Sequence, residues 1–290
     1  MTHIACLHCD SYYKLYIIDE LRDIELEVVS SDGITIDSEH GLTTSTPTPT
    51  SLTLLKTVQL PSCPISVCQY KGSTYVGLDN NTVSRIDSNY QLYESFITCS
   101  NRVDSVVIYK DLVYMLLYTG SVSRIVRVCD MSGRQTAQWN HSCTVGCYYC
   151  NVLTIVSDQV VIADPPNNRI TIYSLTGQIL RHVPCSLLGS RHLNVCAVDD
   201  SSVVVSDSGT SQVFRFNITT GDVMWTYKDV SEPLGVTCYG RRYVLVASNY
   251  NKTVKILDIK TGESFKTSQR SLFSEHDSMF LSEVILSTVK

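Results

Sequence analysis

The chain has 290 residues, of which 43% are hydrophobic and 18% are charged, and Asp and Glu outnumber Lys and Arg by 28 to 23. This composition excludes wholesale disorder, and the formal net charge of −5 gives no whole-chain support to binding of nucleic-acid phosphates. No apolar run reaches the roughly 18 residues that would span a bilayer, and the first residues lack the basic and apolar blocks of a signal peptide. We therefore expect a globular protein of the cytoplasm without a membrane segment.

The first 60 residues contain two strand-like segments separated by a different kind of sequence. Residues 13–19 (YKLYIID) and 52–60 (LTLLKTVQL) have the apolar character of strands. Residues 30–50 are rich in Ser, Thr and Pro, which predicts a flexible insertion. The segment 22–30 (RDIELEVVS) fits either a strand or a short helix.

After residue 60 the sequence repeats itself. Each repeat begins with a small residue and an apolar run, continues with a second apolar run, and has a third run that ends in a polar turn residue. A Gly often follows, as at Gly177, Gly221 and Gly262, and such residues tolerate the positive φ of tight hairpins. The opening small residues are Ser66, Ser105, Asn151, Asn194, Gly235 and, less clearly, Ser278, at spacings of 39, 46, 43, 41 and 43.

The runs are short, rich in Val, Ile, Tyr and Thr, and joined by turns too short for a crossover helix, so they predict antiparallel meanders. A four-stranded meander repeated at this period is typical of a β-propeller blade, whereas a β-sandwich would not require the period. We predict an all-β, six-bladed propeller in one domain spanning 1–290. Its last blade combines residues 271–290 with 1–60, since either terminus alone would leave exposed strand edges. The other blades are predicted at about 61–99, 100–143, 144–186, 187–228 and 229–270.

Three stretches, 162–180, 205–223 and 233–263, carry a family resemblance. Each has an apolar strand, an Asp or Asn, a polar turn, a second apolar strand and a Gly turn. This pattern resembles the NHL family of six-bladed propellers over about residues 56–290, and it resembles WD40 repeats less because the Gly-His and Trp-Asp pairs are absent. NHL propellers commonly form the C-terminal recognition domain of tripartite-motif (TRIM) ubiquitin ligases. The resemblance therefore implies a non-catalytic platform that recognises protein partners or substrates for a ubiquitin-ligase system, without ligase catalysis in this chain.

The loops between the second and third strands share one end of a propeller with the loops between blades, and these loops are the expected binding surface. Exposed Arg and Tyr are favoured interface anchors. Asp79, Asp164 and Asp207 also lie in these loops, where they either contact a ligand or only cap turns. The candidate binding residues are Arg169, Tyr250, Lys252, Arg191 and His192.

Two alternative functions remain open. RNA binding, known for some NHL propellers, is suggested by the basic residues of the fifth repeat, although Arg241 and Arg242 are predicted at the opposite end from Lys252. A metal-dependent hydrolase or lyase would use channel ligands such as Asp164 and Asp207. No GxSxG, HExxH or GxxxxGK[ST] motif accompanies them, so we expect no enzyme, no cofactor and no DNA partner.

The chain contains twelve cysteines, and three of them, Cys68, Cys196 and Cys238, lie inside apolar strand-like runs. These three are predicted to be reduced thiols of the core. Two local groups, 3–9 and 141–150, combine His and Cys, but neither has the second ligand pair of a structural zinc site, so no metal is expected.

Overall fold

A computed structural model describes residues 2–9, 14–20, 52–120, 123–142, 152–189, 192–239, 241–248, 250, 253–265 and 279–283. For 2–9, 14–20, 52–57 and 279–283 the description covers the backbone strands alone. The insertion predicted at 30–50 and the ambiguous segment at 22–30 lie outside the described residues.

Strands make up most of the described chain. The N-terminal strands are β1 (Thr2–Cys9), β2 (Lys14–Glu20) and β3 (Leu52–Gln59). Sheet I contains β4 (Pro64–Tyr70), β5 (Ser73–Leu78), β6 (Thr82–Ile86) and β7 (Leu92–Thr98). Sheet II contains β8 (Val103–Tyr109), β9 (Leu112–Tyr118), β10 (Ser123–Asp130) and β11 (Gln135–Ser142).

The described residues that follow continue in the same manner. Sheet III contains β12 (Leu153–Val156), β13 (Gln159–Asp164), β14 (Arg169–Ser174) and β15 (Ile179–Pro184). Sheet IV contains β16 (Leu193–Ala197), β17 (Ser202–Asp207), β18 (Gln212–Asn217) and β19 (Val223–Tyr227). Sheet V contains β20 (Pro233–Tyr239), β21 (Tyr243–Ser248) and β22 (Thr253–Asp258), and the last strand is β23 (Met279–Glu283).

Sheets I to V are antiparallel meanders in which each strand pairs with the next one along the chain. The first hairpins of sheets I to III are tight turns whose two central residues both have positive φ, as in Lys110 (48°) and Asp111 (59°). Such turns match the natural twist of paired strands. The predicted all-β propeller with four-stranded antiparallel blades is therefore confirmed. Among the described residues the one short helix, Pro165–Asn167, is far from the length and apolarity that crossing a membrane would require.

The predicted count of six four-stranded blades is wrong for the part of the chain that the structure describes, which contains five four-stranded sheets. Four of these are sheets I to IV, and the fifth has the order β23-β1-β2-β3. We call this fifth one the composite sheet. Sheet V has three strands because its described chain stops at Phe265, just after Ser264 forms an isolated bridge to Leu257.

The first strands of sheets I to V are neighbours in chain order, β4 beside β8, β8 beside β12, β12 beside β16, and β16 beside β20. The small residues that open the repeats make the contacts between them. Ser66 Oγ accepts a hydrogen bond from the backbone N–H of Val106 at 2.8 Å, and Ser105 Oγ accepts one from Leu153 at 3.3 Å. The repeated small polar residue thus joins one sheet to the next.

The apolar core lies between adjacent sheets. One cluster joins sheets I and II, a second joins II and III, a third joins III and IV, and a fourth joins IV and V. Phe214 and Phe216 of β18 are 0% and 1% exposed and belong to the third cluster. Because each sheet buries its faces only against its neighbours, the sheets hold one another in place.

The hairpin before each fourth strand also contacts the preceding sheet. A Cβ built on Gly133, Gly177, Gly221 or Gly262 would have as its nearest side chain a residue on the fourth strand of the sheet before it. Those residues are Ile97, Trp139, Val183 and Trp225, respectively. The repeated Gly therefore serves packing between sheets as well as turn geometry.

Candidate functional site

The two ends of the propeller carry different loops. At the end that we call the upper face, the second strand of each sheet turns into the third and the chain passes to the next sheet. The lower face carries the hairpins between first and second strands. Adjacent lower hairpins are linked by exposed ion pairs at 2.6 Å, Lys71 with Asp111 and Lys110 with Asp158. Such exposed pairs add little stability, but they show that the hairpins lie side by side.

Two of the predicted upper-face aspartates have structural roles. Asp207 is 0% exposed, and its Oδ1 accepts hydrogen bonds from the backbone N–H groups of Gly209 (2.9 Å) and Thr210 (3.2 Å), while Oδ2 accepts one from Gly189. Asp79 Oδ1 accepts from Cys63 N at 3.1 Å and from the hydroxyl of Ser62. Both carboxylates fix the loop that enters their own sheet, so the turn-capping interpretation describes them better than a metal-ligand role.

Asp164 makes a different set of contacts. Its carboxylate, which is 0% exposed, accepts hydrogen bonds at Oδ2 from Asn167 Nδ2 (2.7 Å) and Arg169 Nε (2.9 Å). Arg169 pairs with Asp164 across β13 and β14, and its side chain is 31% exposed. Within the described residues its terminal nitrogens make no hydrogen bond. The guanidinium is therefore held by one edge while the rest of it reaches the surface.

A second buried carboxylate lies nearby on sheet II. The Asp104 carboxylate forms two ion pairs, one between Oδ1 and Arg102 Nε at 2.8 Å and one between Oδ2 and Arg124 Nε at 2.9 Å. The Arg124 side chain is 0% exposed. The ring of Tyr118 lies against both guanidinium groups, with centroid distances of 4.7 Å to Arg102 and 4.4 Å to Arg124. Burial raises the pKa of the Asp104 carboxyl, and the two arginines oppose that shift.

His141 lies between these two charged groups. It pairs with Arg124 across β10 and β11, is 1% exposed, and its Nδ1 is 2.8 Å from the Tyr173 hydroxyl. Burial lowers the pKa of His141 to about 4, the nearby Asp164 carboxylate opposes this, and the positive charges of Arg169 and Arg124 reinforce it. The imidazole is therefore neutral at physiological pH.

These residues form one connected group on the upper face of sheets II and III. We call it the upper charged cluster: Arg102, Asp104, Tyr118, Arg124, His141, Asp164 and Arg169. With His141 neutral it holds three guanidinium groups and two carboxylates, a local excess of one positive charge. The sequence predicted only Asp164 and Arg169 here. The available signal was a charged residue placed within or beside an apolar strand, as in Asp104 and Arg124.

The other predicted anchors lie elsewhere or outside the description. Tyr250, after β21, is 73% exposed, and His192 is exposed at the entrance to sheet IV, where its carbonyl accepts a hydrogen bond from Ser208 N at 3.0 Å. Neither belongs to the upper charged cluster. Arg191 and Lys252 lie outside the described residues.

The basic residues of the fifth repeat do not form one surface among the described residues. Arg241 and Arg242 occupy the lower hairpin between β20 and β21. Arg242 Nε is 3.7 Å from Asp258 Oδ2, and its guanidinium lies over the ring of Tyr243. Lys255 is instead 3.7 Å from Asp229. Arg242 and Lys255 are thus paired with different carboxylates, and the described basic residues form no continuous track for a phosphate backbone.

The first strands of sheets I to V line a central cavity of about 240 Å³. Its wall includes Asp104 and three cysteines, Cys68, Cys196 and Cys238. Cys68 is buried as predicted, whereas Cys196 and Cys238 are only partly buried, and both line the cavity and pack against the apolar cluster between sheets IV and V. Among the described residues, His, Cys, Asp and Glu form no group of three that could hold a metal ion. The cysteines at 6, 9, 143, 147 and 150 lie outside the described side chains.

Solved structures show the same fold. The chain has a TM-score of 0.67 to a structure described as a nidogen/laminin complex, with 13% identity over 99% of this chain and 98% of that one. It has a TM-score of 0.62 to a protein of unknown function from Bacteroides caccae, with 9% identity over 99% of both chains. The WD40 β-propeller domain of Doa1 gives a TM-score of 0.57 and 13% identity over 91% of this chain and 78% of that one.

At such identities these structural likenesses establish the propeller fold alone. No protein-family model matches the chain. No curated protein matches it in sequence either.

Proposed function

We propose that this protein is a non-catalytic interaction platform that binds a protein partner on its upper face. Two structural neighbours, a WD40 propeller domain and a chain of the nidogen/laminin complex, share its fold, and the second is described in complex with another protein. Support also comes from the way the upper loops are held, since the carboxylates of Asp79, Asp164 and Asp207 fix them through hydrogen bonds. A surface fixed in this way binds with little backbone movement.

The observation that carries the proposal is that the Arg169 side chain is both held in place and partly exposed. Its Nε is fixed by the fully buried Asp164, while nearly a third of the side chain remains exposed. An arginine held in one rotamer loses less conformational entropy on binding and can offer its free nitrogens to a carboxylate in a bidentate geometry. We infer that Arg169 receives an acidic side chain of the partner and that Tyr250 supplies a separate aromatic contact.

Affinity capture with Arg169→Ala and Tyr250→Ala variants tests the platform. Partners that bind the wild-type upper face are expected to be recovered about tenfold less well with Arg169→Ala, since an anchor of this kind contributes roughly 1.4 kcal/mol or more. Arg241→Ala on the lower face is the matched control, because it removes another surface arginine and leaves the upper face intact. Equal recovery with Arg169→Ala and wild type, or an equal loss with Arg241→Ala, contradicts the proposal.

We further propose that the composite sheet closes the propeller between sheets V and I. Support comes from β23, which pairs with β1 through Cys6 and Glu283 and lies beside both β20 and β4. Amide hydrogen exchange checks it. In a closed ring, residues 2–9 and 279–283 are protected to a similar degree, whereas exchange at the unfolded-chain rate in either segment argues for an open arrangement. The link to a ubiquitin-ligase system rests on the NHL resemblance alone.

A further inference from the structure

Two thiols touch across the boundary between sheets IV and V. Cys196 on β16 and Cys238 on β20 have their Sγ atoms 3.4 Å apart, although 42 residues separate them in the chain. Both are partly exposed, and both line the central cavity. A pair of thiols in contact and open to a solvent-accessible cavity has the geometry of a vicinal dithiol.

We propose that Cys196 and Cys238 form a modification site at which a small disulfide that enters the cavity is reduced and a covalent bridge forms between sheets IV and V. The two sulfur atoms need to approach each other by little more than one ångström to reach bonding distance. They are carried by neighbouring first strands, β16 and β20, which lie side by side.

The reaction proceeds in two exchange steps. The thiolate of one cysteine attacks one sulfur of the small disulfide RSSR, forms a mixed disulfide with it and releases RS⁻, which takes up the proton that the cysteine lost. The thiolate of the second cysteine then attacks the protein sulfur of that mixed disulfide, forms the Cys196–Cys238 bond and releases the second RS⁻, which is protonated in turn. Overall, two protein thiols are oxidised to one disulfide and RSSR is reduced to two RSH.

The environment of Cys196 keeps its thiol protonated. The hydrogen bond with Cys238 and burial raise the pKa of Cys196 well above its usual value, so little thiolate is present at neutral pH. The other cavity cysteine, Cys68, is more deeply buried, and burial raises its pKa to about 12. Cys99 has the thioether of Met115 as a sulfur neighbour at 3.7 Å, and a thioether cannot form a disulfide. The second thiol in contact is what distinguishes Cys196.

The experiment treats the folded wild-type protein with 2-hydroxyethyl disulfide in mildly alkaline buffer, blocks the remaining thiols and digests the product with trypsin. Trypsin is expected to release residues 192–215 and 229–241, each of which contains one cysteine. The expected product joins these two peptides and has lost two hydrogen atoms, and a reductant separates them. The bridge is expected to raise the melting temperature by about 5 °C, since it closes a long loop.

Cys68→Ser is the matched control, because it removes another thiol of the same cavity and is expected to leave the bridge unchanged. Cys196→Ser and Cys238→Ser are each expected to abolish it. A mixed disulfide that never resolves into the bridge overturns the proposal. The proposal is also overturned if Cys196 and Cys238 stay unreacted in the folded protein while they react in the urea-unfolded protein. A disulfide that joins a different pair of cysteines overturns it as well. Because the main test uses wild-type protein, it remains decisive even if a variant folds poorly.

Discussion

Replacing Gly177 with Ala is expected to lower the free energy of unfolding by roughly 3 to 4 kcal/mol, because two separate penalties act at this position. The residue has a φ of +91°, a conformation that costs an L-amino acid about 1 to 2 kcal/mol. A Cβ there would also lie 2.4 Å from Cδ2 and 2.6 Å from Cε3 of the Trp139 ring on the preceding sheet. Moving a large, rigid ring to relieve such overlap typically costs a further 1 to 3 kcal/mol or so.

The matched control is Gly133→Ala at the equivalent turn of sheet II. Its φ of +84° imposes the same backbone penalty, but the nearest atoms to a new Cβ are 3.6 Å away. Urea unfolding should therefore show a loss of only about 1 to 2 kcal/mol for Gly133→Ala. In a double-mutant cycle with Trp139→Val, Gly177→Ala is expected to lower the free energy of unfolding by less than it does in the presence of Trp139. If Gly133→Ala and Gly177→Ala lowered the free energy of unfolding equally, the contact with Trp139 would not contribute to the cost at Gly177.

These glycines illustrate what the sequence could and could not predict about the fold. The Gly after a polar turn residue correctly predicted the hairpins, since positive φ is a local property of the turn. The packing of Gly177 against Trp139 was not predictable, because it depends on how one sheet meets the next. The contacts of Ser66 and Ser105 were unpredictable for the same reason. Their repetition was visible, but the hydrogen bonds to the neighbouring sheet required the relative height of two strands.

The candidate site shows the same division. Arg169 and Asp164 were identified because they stand in a loop at the end of a strand, where turn chemistry and exposure can be recognised. Asp104, Arg124 and His141 were missed as a group because they lie in strands, where an isolated charged residue is usually taken to face solvent. Only strand register brings Arg124 opposite His141 and both close to sheet III. A repeat pattern predicts strands, but not which residues meet between them.

The upper charged cluster is expected to make stability depend on pH through His141. The folded pKa of about 4 lies below the value of about 6.5 that a histidine has in an unfolded chain. Between these values the unfolded chain binds a proton that the folded protein does not. The stability contributed by the neutral imidazole is therefore complete above pH 6.5 or so and is lost as the pH falls toward 4, by about 3 kcal/mol in total. Protonation would place a further positive charge between Arg124 and Arg169.

Urea unfolding between neutral pH and about pH 4 measures this effect. His141→Gln removes the titrating group while keeping a polar partner for the Tyr173 hydroxyl, so its stability is expected to fall less steeply with acidification. The difference between the two curves isolates His141 from carboxylates that titrate in both proteins. Parallel curves for wild type and His141→Gln would mean that His141 can accept its proton in the folded protein, and the cluster would then tolerate a fourth positive charge.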